Sequence, residues 1–228
     1  MAISTLQDLM LDQLGDVYDA EHRFLKGQQE MMRKASDQQL KSGIQLHIEQ
    51  TQHHIQNLEQ VFSLMGQQPK GVTCEASQGL VSEAQKDMGE AGSDSIRDVL
   101  IDGAALRVEH YEIAAYTALI AGAQLMGQQQ AISLLQENLQ QEQQTAQKLE
   151  QLTPQLLRTA MQQSGGMGTQ NMQSGQTTVR QGQGTTGQVA GTTGGLTGDD
   201  YVKVDTSKAS DILIDETQNQ DAVRNQRS

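Results

Sequence analysis

The sequence predicts an all-α protein: a four-helix bundle with a short crossover helix between helices 2 and 3, followed by a tail with no packing pattern. Four long stretches repeat apolar residues every three or four positions, the spacing of a helix with one buried face. The second and third stretches are separated by Gly66–Ser93, which holds a helix-like segment of its own; a connection that long lets the chain cross the bundle, whereas adjacent antiparallel helices need only short loops. Near Met161 the composition changes to Gly, Gln, Thr and Ser. Residues 1–161 are therefore read as one domain, large enough to bury a core, and residues 162–228 as a low-complexity tail expected to be disordered.

The first stretch, Thr5 to Lys34, carries Met10, Leu14, Val17, Glu21 and Phe24 on one seam, so a glutamate stands where the period asks for an apolar residue. The second, Asp37 to Met65, has Ile44, Ile48, Thr51, Ile55, Leu58 and Phe62 in line, with Asp37 as a helix cap at its start. His47 and His54 flank that seam, His53 points away from it, and Glu49 lies off it. Thr73 to Met88 reads as the short crossover helix. The third long stretch, Asp94 to Met126, aligns Val99, Gly103, Leu106, His110, Ile113, Thr117 and Ile120, which puts His110 in the seam and Glu109 and Glu112 on its flank. The fourth, Gln128 to Met161, gives Ile132, Leu135, Leu139, Glu142, Ala146 and Leu149, with a kink or restart expected at Pro154. Asp19-Ala-Glu21-His22 echoes Arg107-Val-Glu109-His110, a hint that helices 1 and 2 repeat as helices 3 and 4.

Ionised groups are rarely buried unless they are paired or bound to metal, so glutamates on core seams need an explanation. Glu21 and Glu142 fall on seams and Glu109 at a seam's edge. Gathered in one bundle they would be prohibitively unfavourable without cations. Inward carboxylates and histidines from different helices are how di-iron and di-manganese bundles are built, and oxygen ligands with imidazole suit Fe or Mn. The alternative is that these acids are protonated or pair with a base such as Arg107.

Composition excludes other classes. The chain of 228 residues has a net charge of -12, a pI near 4.7 and no basic stripe, which argues against nucleic acid as a partner. Residues 1–160 hold 11 Lys+Arg against 21 Asp+Glu, so the acidity sits in the helical part, where a solvated acidic surface and attraction of metal cations both remain open. Cys74 is the sole cysteine, which rules out an intrachain disulfide and favours a reducing compartment. No signal peptide or membrane-spanning run is read, and the expected location is cytoplasmic. Neither a phosphate-binding glycine loop nor an H-E-x-x-H signature is present, and no catalytic residue is assigned.

The run Arg107-Val-Glu-His-Tyr-Glu-Ile-Ala-Ala-Tyr116, the opening Tyr18-Asp-Ala-Glu21, the segment His47-Ile-Glu-Gln-Thr51 through Leu58-Glu-Gln-Val61, and Cys74-Glu-Ala-x-x-Gly-Leu80 together resemble the bacterial ferritin-like stress-protein family typified by YciE and YciF. The likeness spans about residues 4 to 160. It implies a ferritin-like bundle, a homodimer, a dinuclear Fe or Mn site and a role in stress. Matched residue by residue, it adds His47 and Glu49 to Glu21, Glu109, Glu112 and Glu142 as metal ligands. Gln50, Gln52, Gln140 and Gln141 stand where relatives carry acids or histidine; fewer charged ligands imply weaker binding, one metal instead of two, or none. The leading reading is a stress protein with Fe or Mn in the bundle serving Fe(II) oxidation or peroxide removal, against a non-enzymatic protective dimer with a degenerate site.

Overall fold

The computed structural model describes residues 3–169, and the expected disorder of the tail beyond residue 169 lies outside them. Five helices form: α1 (Leu6–Lys34), α2 (Gln38–Leu64), α3 (Glu75–Glu90), α4 (Asp94–Leu125) and α5 (Gln129–Thr169). Their ends follow local chemistry. Thr5 and Asp8 make a reciprocal capping box at α1, Asp37 accepts the Gln39 and Leu40 amides at α2, and Ser93 accepts the Ile96 amide at α4. Gly66 and Gly127, at φ +72° and +67°, follow α2 and α4 in the left-handed conformation that glycine adopts without penalty. α5 runs through Pro154 without interruption, so the expected restart does not occur. The preceding turn loses one amide donor there, while Leu152, Leu156 and Ala160 keep a buried stripe on both sides of the proline.

The long helices form a closed square, α1 beside α2 and α4, and α5 beside α2 and α4, with α3 laid against α1 and α4. Two apolar clusters show the chain's direction. One gathers Met10 and Leu14 from the start of α1 with Phe62, Leu119 and Ile132; the other gathers Met31 from its end with Leu40, Ile101 and Leu152. Thus α1 runs opposite to α2, α4 opposite to α5, and the Gly66–Ser93 connection returns the chain to the end where α2 began. One long crossover of this kind is the topology of ferritin-like bundles.

Two contacts fix this path. The Val72 amide donates to the Gly15 carbonyl at 2.9 Å, and a Cβ at Gly15 would stand 2.8 Å from the Lys70 carbonyl oxygen, so the crossover loop seats on α1 only because residue 15 has no side chain. At the other end, buried Asp98 accepts the Ser36 and Asp37 amides at 2.7 and 2.9 Å and holds the α1–α2 turn. Between the two apolar clusters lies a band that is buried and acidic.

Candidate metal centre

The band is built from the middles of four helices, where backbone position is best fixed. Glu21 comes from α1, His47 and His54 from α2, Glu109 and Glu112 from α4, and Glu142 from α5; each is almost wholly removed from solvent. His47 Nε2 lies 3.1 Å from Glu109 Oε1 and 3.5 Å from Glu142 Oε2. His54 Nδ1 lies 2.8 Å from Glu142 Oε1 and 3.4 Å from Glu21 Oε1.

These approaches do not have hydrogen-bond geometry. Glu21 Oε2, Glu109 Oε2, both oxygens of Glu112 and of Glu142, His47 Nε2 and His54 Nδ1 are buried without a hydrogen-bond partner. That many orphaned polar atoms in one place is far from the norm for a protein interior. They sort into two overlapping groups: one ligand atom each from His47, Glu109, Glu112 and Glu142 lie within 4.8 Å of one another, as do one each from Glu21, His54 and Glu142. Glu142 belongs to both.

The surrounding hydrogen bonds orient the two imidazoles toward the carboxylates. Gln141 Oε1 is 3.0 Å from His54 Nε2 and accepts its proton, which leaves the Nδ1 lone pair facing the carboxylates. Gln50 Oε1, 3.4 Å from His47 Nδ1, does the same for His47 Nε2, with Thr145 Oγ1 at the same distance. The Tyr116 hydroxyl donates to Glu21 Oε1 and accepts from Asn138 Nδ2 at 3.0 Å; Asn57 in turn donates to Asn138 Oδ1 at 2.8 Å. Glu21 is thus held from behind by a chain of neutral polar groups.

Electrostatically the centre is short of positive charge. Burial, with repulsion from Glu21, lifts the Glu109 carboxyl to about 7, and burial with repulsion from Glu109 lifts Glu142 to about 8. Glu112 is raised well above the usual carboxylate range by burial and by Glu142, Glu21 and Glu109 together. Burial works against charge on His54, but the Glu21 and Glu142 carboxylates outweigh it and lift the imidazole to about 11. Glu109, Glu112, Glu142 and His54 hold protons that a cation would displace, and the donor set of carboxylate oxygens and ring nitrogens fits Fe or Mn.

Of the residues expected from the sequence, Glu21, His47, Glu109, Glu112 and Glu142 are brought together and Glu49 is not. Glu49 is exposed and accepts from Gln45 at 3.3 Å on the outer face of α2. His110 is also displaced from its expected seam: it is exposed, with its Nδ1 on the Leu106 carbonyl, because the buried line of α4 runs through Asp102, Glu109, Glu112 and Tyr116. Arg107 pairs with no inward acid; its guanidinium is 3.9 Å from Glu83 and Asp87 at the surface. The candidate ligand that sequence reasoning missed is His54. Its signal is spacing: His47, Thr51 and His54 share one face at i, i+4 and i+7. Carboxylate-bridged bundles carry a Glu-x-x-His pair on two helices; here Thr51-x-x-His54 and Glu142-x-x-Thr145 each keep one residue of such a pair.

A crossed four-helix bundle with carboxylates and imidazoles converging inside it defines the ferritin-like class. The chain belongs to the family described as a domain of unknown function, DUF892, whose model matches residues 5–162. It is 33% identical over 153 residues to Protein YciF of Escherichia coli strain K12, covering 67% of this chain and 92% of YciF. Among solved structures, that of the E. coli stress protein YciF superposes with a TM-score of 0.65 at 31% identity, covering 68% of this chain and 98% of the other. YcfI from Rhodopseudomonas palustris gives a TM-score of 0.64 at 40% identity, over 65% and 94% of the two chains.

Proposed function

We propose that this protein is a stress-response metalloprotein that holds two Fe or Mn ions in its core and serves Fe(II) oxidation or peroxide removal. The observation that carries the reading is the set of buried, partnerless ligand atoms on four helices. His47, Glu109, Glu112 and Glu142 would hold one ion, Glu21, His54 and Glu142 the other, with Glu142 shared. Bound ions would supply redox chemistry toward dioxygen or peroxide. The chain's own part is to orient and insulate. Gln50 and Gln141 fix the imidazole tautomers, and Asn138 aims the Tyr116 hydroxyl at Glu21. Burial raises the Tyr116 hydroxyl well above its usual range, assisted by Glu21, Glu142 and Glu112, so it remains a proton donor beside the site. The apolar clusters above and below exclude bulk water.

The working form under this reading is a cytoplasmic homodimer. Cys74 is free and buried, and no helix among the described residues is long and apolar enough to cross a membrane. A second reading, a metal-free protective bundle, is favoured by one observation: His54 Nδ1 stands 2.8 Å from Glu142 and 3.4 Å from Glu21, where a proton on the imidazole would neutralise part of the charge without any ion.

Reconstitution separates the two. Metal-free protein incubated with Fe(II) or Mn(II) and desalted should retain two equivalents per chain and melt at a higher temperature, because a ligand that binds only the folded state stabilises it. Retention of neither ion, with an unchanged melting temperature, supports the protective bundle and removes the metalloprotein reading.

A further inference from the structure

Beside the acidic band the bundle holds a chamber of about 360 Å³, within the range of cavities that accept small organic ligands. Phe24 of α1, Val81 of α3, Val108 of α4 and Leu149 of α5 wall it. One end reaches the buried pair His47 and Glu109, which ligand-group geometry assigns to the metal centre; the other carries the exposed residues Ser42, Gly43 and Leu46 of α2. Two of its lining residues are glycines, Gly27 and Gly43. A Cβ at buried Gly27 would meet nothing nearer than Val81 Cγ2 at 3.5 Å, and one at Gly43 would meet no atom within 4 Å.

We propose that this chamber is a binding site for a medium-chain aliphatic molecule with an uncharged polar head, its tail along the apolar wall and its head at His47 and Glu109. Apolar burial drives the tail inward. The head needs a donor because Glu109 Oε2 and His47 Nε2 are buried at the inner end without a hydrogen-bond partner, and a carboxylate, which only accepts, would leave them unpaired. An aliphatic alcohol fits both ends, since its hydroxyl can donate to Glu109 while its chain fills the space under Val81 and Val108. The inference concerns the metal-free chain and does not depend on the metalloprotein reading, although its inner end shares His47 and Glu109 with that site.

The full-length, metal-free protein titrated calorimetrically with 1-octanol should bind one molecule per chain saturably, and octanoate should bind about 10-fold more weakly or worse. Gly27→Leu, which extends a side chain into the chamber, should weaken 1-octanol binding about 10-fold or more. Gly43→Leu, placed where added atoms meet no neighbour and where leucine favours the helix, should fold as the parent does and also weaken binding. Absence of saturable 1-octanol binding in the full chain, the result expected if a second copy or the chain's own later residues fill the chamber, overturns the proposal. So does equal affinity for octanoate, or unchanged affinity in folded Gly43→Leu.

Discussion

Replacing Glu142 by Gln removes the one carboxylate common to both ligand groups while keeping the side chain's size and its place between α2 and α4. If two ions share Glu142, the loss falls on both, so retention after desalting should drop from two equivalents to well below one. The thermal consequence follows from linkage. At a free metal concentration 100 times Kd, each of the two ions stabilises the native state by about 2.7 kcal/mol, about 5.4 kcal/mol together. For a domain of this size about 1 kcal/mol moves Tm by about 2–4 °C, so the parent should gain about 11–22 °C with metal and Glu142→Gln almost none. Without metal the variant should melt no lower than the parent, since one of four crowded, buried carboxyls has been replaced by a neutral amide. Glu49→Gln is the control: on the exposed face of α2 it should leave both stoichiometry and Tm unchanged. Melting curves with and without Mn(II), read beside elemental analysis of the desalted protein, measure all of this. Full metal retention and a full thermal shift in Glu142→Gln would refute the shared-ligand reasoning.

Other outcomes follow from the same geometry. In chelator the native chain holds protons on Glu109 and Glu142, lifted to about 7 and about 8 from 4.5, and on His54, lifted to about 11 from 6.5, that the unfolded chain releases at lower pH. Stability of the metal-free protein should therefore fall as pH rises from about 5.5 to 8.5, seen as a decreasing Tm, while metal affinity rises over the same interval as those protons become easier to displace; a metal-free Tm that climbs with pH would contradict the buried-acid description. Gln141→Leu removes the acceptor that sets the His54 tautomer and should weaken metal binding about 10- to 100-fold by competition with a chelating dye, with little change in circular dichroism. Gly15→Ala forces a methyl against the Lys70 carbonyl and should cost about 1–3 kcal/mol in urea unfolding, metal or no metal.

The architecture was largely legible because α1, α2 and α5 each alternate apolar and polar faces, and because the cap Asp37 and the glycine Gly66 mark the two ends of α2. Glu21 and Glu142 could be placed inside for the same reason: each interrupts an otherwise apolar seam. The phase of α4 was harder to read. Its Ala, Leu and Ile residues lie on every side, so a line through His110 fits the period about as well as the true one through Glu109, Glu112 and Tyr116, and only packing against α1 and α5 decides. Glu49 illustrates the limit of resemblance, since a matching residue type on α2 still faces solvent when the buried phase runs through His47, Thr51 and His54. The polar chain Asn57, Asn138, Tyr116 joins residues up to 81 positions apart, a proximity no local pattern encodes.

The central claim is that the acidic band is a site for two ions sharing Glu142, and anomalous diffraction from crystals of Mn- or Fe-reconstituted protein tests it most directly. The account predicts two anomalous peaks per chain, one among His47, Glu109, Glu112 and Glu142 and one among Glu21, His54 and Glu142. A reconstituted crystal with no anomalous density inside the bundle, and the six side chains hydrogen-bonded only to one another or to water, would contradict it.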